Sequence, residues 1–317
     1  MPRLNFGVFL PFYAFRTEVT AASIFSRLKS VVLECERMGY SSVWLDDHLM
    51  FNHAPLLECW TTLSALSSVT ERIRLGTMVT PAGFRNPALL AKMAATLDVI
   101  SGGRLELGIG AGAQKQEHVA YGFSFPETHA RAERMGEAVE IIKKLWSQDS
   151  VNYSGRHYHV TGAVCEPKPP QKPHPPITIG GCGENHLLKI TAQHADRFDF
   201  GYLPSFDAYK HKLQVLQRHC EAVGRDFQEI EKSCWPSAQT VLAEDKQRLE
   251  AKVRQLKTEG VSRDDFEKTS FVCIPTEFRA LLKPYLDLGV THFMLFFGEL
   301  PDLGGLRLFA EEVAAKL

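Results

Sequence analysis

A (β/α)8 TIM barrel is the fold class this sequence predicts, and three observations predict it. Strand and helix patterns alternate through most of the chain. No composition break divides the 317 residues, so residues 1–317 read as a single domain. The segment Arg104–Gly112 runs as a strand straight into glycines 108, 110 and 112, as chains do at the ligand-binding end of such barrels.

The elements follow in order. Leu4–Leu10 reads as a first buried strand stopped by Pro11, and Ala21–Met38 as a helix with Gly39 placed to end it. Ser42–Leu45 is a second strand, ending at Asp46-Asp47-His48. Leu56–Val69 has helical spacing, and Ile73–Val79 is a third strand stopped by Pro81. Asn86 caps a helix that has Pro87 at its first position and runs to Ile100. Arg104–Ile109 is the fourth strand and Arg131–Trp146 the next helix. The alternation then breaks at residues 147–176, a hairpin-like excursion followed by a proline-rich stretch, which reads as an insertion between strands four and five. Ile177–Ile179, Phe198–Leu203, Ile230–Leu242 and His292–Phe297 complete the eight strands. Helices are expected to about Ala195 and over Phe206–Val223, Lys246–Glu259, Thr276–Leu288 and Leu303–Ala315, with Pro284 awkward inside the penultimate one.

Composition narrows the partners. The chain is 44% hydrophobic and 23% charged, with a net charge of −1 and no basic block. Nucleic acid and anionic membrane surfaces therefore have no electrostatic support as partners. No apolar run approaches a membrane span of about 20 residues. The seven cysteines are scattered without a CxxC pair, which argues for a reducing cytoplasm and against a disulfide framework or zinc site. The N-terminal segment enters a strand without a signal-peptide core.

Barrel chemistry gathers where strands run out. Asp47-His48 is the strongest polar pair, since a histidine beside a carboxylate keeps a chosen tautomer and can pass a proton. Its plainer reading has Asp47 capping the following segment and His48 half-buried and satisfied. Gly180-Gly-Cys-Gly183 before a helix suits a phosphate, combining bare amides with the positive helix end; an ordinary strand-to-helix turn has the same sequence. Gly108, Gly110 and Ala113 fit a degenerate dinucleotide fingerprint. That motif needs a helix at once, and residues 114–128 intervene, so a nicotinamide Rossmann site is set aside. His157-x-His159 has no apparent third ligand, and no metal is assigned. Cys182 has no identifiable base and reads as structural. Glu106 reads as a barrel ion pair, and Trp44, Trp60 and Trp146 as core.

These segments carry a resemblance. Ser42-Val-Trp-Leu-Asp-Asp-His48, Thr70-Glu-Arg-Ile-Arg-Leu-Gly-Thr77, Asn86–Asp98, Ser101–Gly112 and Pro175-Pro-Ile-Thr-Ile-Gly-Gly181 resemble the luciferase-like flavin/deazaflavin monooxygenase superfamily over nearly the whole chain. Glu117-His-x-x-Tyr-Gly-x-x-Phe-Pro126 and Leu306–Val313 are similar to its branch of probable F420-dependent oxidoreductases. The resemblance implies a barrel, commonly a homodimer, that binds F420 or FMN at the strand C-termini. It implies a non-prolyl cis peptide between Thr77 and Met78, in a bulge against the ring. His48 and Asp47 would manage the proton, Gly110, Ala111 and Gly112 would line the ring or ribityl chain, and Gly180, Gly181 and Gly183 would hold the phosphate. One position departs from the branch: Ala113 stands where tryptophan is usual, which opens the substrate pocket.

The implied function is hydride transfer between F420 and a small organic substrate. The alternatives are an FMN monooxygenase fed by a separate flavin reductase, and a non-catalytic flavin-binding barrel. Substrate walls are expected from Tyr13–Thr20, Leu49–Pro55, Gln114–His129 and Pro204–Asp207.

Overall fold

Eight parallel strands close on themselves in the computed structural model, which describes residues 4–11, 20–51, 53–203 and 205–317. They are β1 (Asn5–Phe9), β2 (Ser42–Leu45), β3 (Arg74–Thr77), β4 (Leu105–Gly110), β5 (Ile177–Gly180), β6 (Arg197–Asp199), β7 (Glu231–Cys234) and β8 (His292–Leu295). Each pairs with its neighbour in chain order. The pairing of Asn5 with His292 through Val8 with Leu295 closes the ring. The predicted (β/α)8 barrel is the fold.

The barrel interior explains several small residues. Trp44 on β2 is fully buried, and a Cβ on Gly76 of β3 would stand 2.3 Å from its indole. Only a hydrogen fits beside the ring there. At the N-terminal ends of the strands, Glu106 accepts from Arg74 and, at 2.8 Å, from Arg197, which also reaches Glu231 at 2.5 Å. The buried carboxylate is thus paired on both oxygens, as a charge taken out of water must be. Trp60 and Trp146 are core residues, and the Trp146 indole donates to the Ala91 carbonyl at 3.0 Å.

The helices are α1 (Ile24–Arg37), α2 (Cys59–Ser67), α3 (Pro87–Ile100), α4 (Lys115–Ala120), α5 (Thr128–Ser147), α6 (Leu187–His194), α7 (Phe206–Val223), α8 (Lys246–Leu256), α9 (Arg263–Thr269), α10 (Pro275–Asp287) and α11 (Gly304–Glu312). Asn86 caps α3 as expected, its side chain accepting from Ala88 N at 2.9 Å. Pro284 lies inside α10 without ending it. No helix among the described residues is long and apolar enough to cross a membrane.

Three expectations need correction. Ile230–Leu242 is not one strand: β7 stops at Cys234 and Pro236 follows. Thr240–Leu242 then pairs with Phe271–Cys273 beneath α8 and α9, while Thr240 also bridges Phe297 just beyond β8. Residues 114–128 are not all loop, since α4 forms there, and α9 was not expected. The insertion does hold a hairpin, Val151–Ser154 with His159–Ala163, its turn fixed by Glu137 accepting from the amides of Arg156, His157 and Tyr158 at 2.8–3.1 Å. Within it His157 faces Glu133 at 3.5 Å and His159 faces Ser154 at 3.3 Å, so the two imidazoles have separate partners.

Candidate active site

The path of β3 shapes the site. Thr77 still pairs with Leu45, and Met78 N still donates to the Leu45 carbonyl at 2.7 Å. The chain therefore turns one residue later than the resemblance implied. The cis peptide joins Met78 and Val79, not Thr77 and Met78. Beyond it, Thr80 and Pro81 rejoin β4 opposite Ile109 and Gly110. Thr77 is buried and occupied in joining β3 to β4, its hydroxyl donating to the Gly108 carbonyl at 2.6 Å and accepting from Gly108 N at 3.0 Å.

This bulge gives the glycines a packing reason. A Cβ on Gly108 would lie 1.8 Å from the Thr77 carbonyl oxygen, and one on Gly110 or Gly180 would lie 2.6 Å from a Val79 methyl. Gly112 and Gly181 adopt φ of +84° and +124°, which L side chains rarely take.

Beside the bulge, at the C-terminal ends of the strands, opens a cavity of about 550 Å³. His48, Met78, Gly110, Ala111, Gly112, Gly180, Gly181 and Gly183 all line it; Asp47 and Thr77 do not. Of the expected substrate walls, Gln114, Glu117, His118 and Thr128 contribute, as does Ala113. Residues 12–19 and Pro204 lie outside the described residues. Cys182 is half-buried and packed against the core. A larger hollow of about 810 Å³ sits at the opposite face, beside Asn5, Tyr40 and Val290, on the end that stabilises such barrels and does not react.

The carboxylate beside His48 is not its sequence neighbour. Asp47 turns away into a closed network. Its Oδ2 accepts from Arg85 at 2.6 Å, Thr80 at 2.8 Å and the Trp60 indole at 3.2 Å, while Arg85 also reaches Oδ1 at 3.2 Å and Glu58 at 2.5 Å. His48 instead meets Glu117 of α4, Nδ1 to Oε2, at 3.0 Å. Glu117 is only 3% exposed, and its other oxygen accepts from the amides of Leu49 and, at 3.1 Å, Met50. Burial lowers the His48 pKa, but the Glu117 hydrogen bond and charge, with Asp46 and Asp47 behind, hold it above the usual imidazole value. Burial acts to raise Glu117, and the His48 and backbone hydrogen bonds more than reverse it.

Further residues line the cavity without having been singled out in the sequence. Arg131 donates to the Gly112 carbonyl at 3.1 Å and lies 4.0 Å over the Phe125 ring. Trp235 follows β7. Asp199, fully buried at the end of β6, accepts from Gly201 N at 2.6 Å, and burial pushes its pKa up to about 6. The motif Glu117-His118 was visible as a resemblance, but nothing local to it indicated a partner at His48, just beyond β2.

Residues 4–273 match the family described as luciferase-like monooxygenase. The chain is 30% identical to the F420-dependent glucose-6-phosphate dehydrogenase of Microbacterium testaceum (strain StLB037), over 89% of this chain and 90% of the relative. It is 28% identical to the enzyme of that name from Amycolatopsis mediterranei (strain U-32), over 92% and 94%. An F420-dependent secondary alcohol dehydrogenase in complex with an F420-acetone adduct superposes with a TM-score of 0.79, at 21% identity and 99% coverage of both chains. That last likeness is one of fold.

Proposed function

The chain belongs to the luciferase-like monooxygenase family, and we propose that it is an oxidoreductase passing a hydride between coenzyme F420 and a small organic substrate. The observation that carries this reading is His48, held by Glu117 on the same cavity that the two glycine arcs line. The relatives that share most of their length with this chain are named as F420-dependent.

The residues present fit a flat cofactor with a phosphorylated side chain. Gly110 and Gly112, either side of Ala111, offer bare backbone for the ring or ribityl chain, and Gly180, Gly181 and Gly183 lead to the N-terminus of α6, where a phosphate is favoured. When bound, the deazaflavin supplies at its C5 the carbon that accepts or returns the hydride. The protein contributes position and proton control. Met78 and Val79, which line the cavity at the bulge, would support the ring. Glu117 fixes the His48 tautomer with hydrogen on Nδ1, which leaves Nε2 to accept or return the substrate proton. Asp47 anchors the strand end that carries His48, through Arg85.

The family resemblance extends to a homodimer, and Leu89, Val99 and Ile100 stand exposed on α3 as such a contact would use. Sedimentation of a monomer at working concentration would remove that part of the reading. The enzymatic part is tested with His48→Asn. The variant is expected to bind F420 as the parent does and to lose turnover, whereas unchanged turnover would remove His48 from the mechanism.

A further inference from the structure

A buried nitrogen on the cavity wall has no partner. His118 of α4 is only 1% exposed, yet it lines the cavity together with Pro81 and Gly112. Its ring is held on several sides. Nδ1 lies 2.8 Å from the Gln114 carbonyl, and Phe84 and Phe125 flank the ring at 4.6 and 5.0 Å between centroids. A carbonyl oxygen can only accept, so Nδ1 carries the hydrogen, and in the neutral ring Nε2 keeps its lone pair. Nε2 is buried and meets no hydrogen-bond donor among the described residues.

The glycines around it give that nitrogen a direction. A Cβ on Gly112 would stand 3.0 Å from Nε2, and one on Gly83 3.3 Å, so two positions without side chains border it. The Arg134 guanidinium, which also approaches Gly83, donates instead to Tyr158 and Ser124, each at 2.9 Å. Packing alone does not call for a nitrogen here, because a phenyl ring would fill the same space between Phe84 and Phe125. A buried acceptor left unpaired costs free energy, which a ligand hydroxyl recovers and an apolar ligand does not.

We propose that His118 Nε2 accepts a hydrogen bond from a hydroxyl of the cofactor's ribityl chain. The polyol between ring and phosphate is then read by a side chain as well as by the bare backbone of Gly110 and Gly112. The proposal rests on the F420 reading and adds a cofactor-binding residue to it. His118 was expected among the substrate walls, and its place against Gly112 puts it on the cofactor side instead.

Equilibrium binding, followed by cofactor fluorescence, tests this without turnover. Three deazaflavins are compared: F420, its core with the ribityl chain but no phosphate, and an analogue with a methyl group in place of the ribityl chain. His118→Phe keeps the stacked ring, and the Gln114 carbonyl keeps the backbone N–H of residue 118, so the variant is expected to fold. It should bind both ribityl compounds about tenfold more weakly than the parent does, and the methyl analogue equally well. Unaltered affinity for F420 would overturn the proposal. So would an equal loss for all three ligands, which would make His118 a packing residue of α4. In the parent protein the nitrogen NMR resonance of His118 Nε2 should move upfield when F420 is added, and a resonance that stays in place would overturn the proposal likewise. Each of these leaves the F420 reading standing, whereas failure of F420 to bind the parent would overturn both.

Discussion

His48 Nδ1 and Glu117 Oε2 stand 3.0 Å apart, tying the end of β2 to a short helix 69 residues further along the chain. The pair sets which nitrogen of His48 carries hydrogen and holds its pKa above the ordinary value. In Glu117→Gln the amide oxygen can still serve the Leu49 and Met50 N–H groups, but its NH2 then faces Nδ1 and favours the opposite tautomer. With the carboxylate gone and burial remaining, the His48 pKa falls. For substrate oxidation with His48 as the base, which needs neutral His48, the rise of kcat/KM with pH should move to lower pH. Its plateau should drop about 100-fold, while F420 affinity is retained. An unmoved pH limb would remove Glu117 from the proton path.

Asp199 makes a separate pH prediction. Ser233 has one hydroxyl hydrogen, and its Oγ lies 2.5 Å from the Phe198 carbonyl. Its 3.1 Å contact with Asp199 Oδ2 is then best made with the carboxyl's own proton. A carboxyl whose folded pKa is raised from 3.8 to about 6 favours the native state when protonated and disfavours it as pH rises through that window. Asn reproduces the protonated pattern, accepting from Gly201 and donating to Ser233. Asp199→Asn should therefore stabilise the protein at pH values above the window by up to about 3 kcal/mol, from about 1.4 kcal/mol per unit. The gain should vanish below the window. Denaturant unfolding at both ends measures it, and an equal effect at both would refute the linkage.

Arg85 is expected to act on stability. It forms ion pairs with Asp47 and Glu58 beneath the site and is itself mostly buried. Arg85→Ala leaves the Asp47 charge buried without its cation and should cost about 3–5 kcal/mol. Urea unfolding of the cofactor-free protein checks this; a loss below about 1 kcal/mol would mean that Asp47 is held otherwise.

Two glycines should behave differently on the same substitution. Gly108→Ala drives a Cβ to 1.8 Å from the Thr77 carbonyl and should prevent native folding. Gly183→Ala meets only the Leu187 Cβ, at an ordinary 3.6 Å, so its melting temperature should hold. If Gly183 cradles the cofactor phosphate, F420 affinity should fall about tenfold in that variant. Unaltered affinity would remove Gly183 from the cradle.

Much of the barrel was legible because its signals are local. Asn86-Pro87 marks the start of α3, and Phe206–Val223 shows its helical period and ends at Gly224, where φ is +70°. The site was less legible because its pairings are not local. His48 finds Glu117 across 69 residues and Asp47 finds Arg85 across 38, while the six-residue α4 that delivers Glu117 is too short for a period. The glycine run shows how one sequence signal carries two causes. Gly110 and Gly180 make room for Val79 in addition to lining the cavity. The cis bond fell one residue from its expected place because Met78 N keeps its bond to Leu45, a detail of register that no motif encodes.

A cavity built for F420 and hydride transfer would take the deazaflavin in preference to a flavin. A paired titration of the cofactor-free protein with F420 and FMN, each oxidised and reduced, tests it most directly by fluorescence quenching. Micromolar binding of F420 and much weaker binding of FMN are expected. Preference for reduced FMN would contradict it and point to an oxygen-using monooxygenase served by a separate reductase.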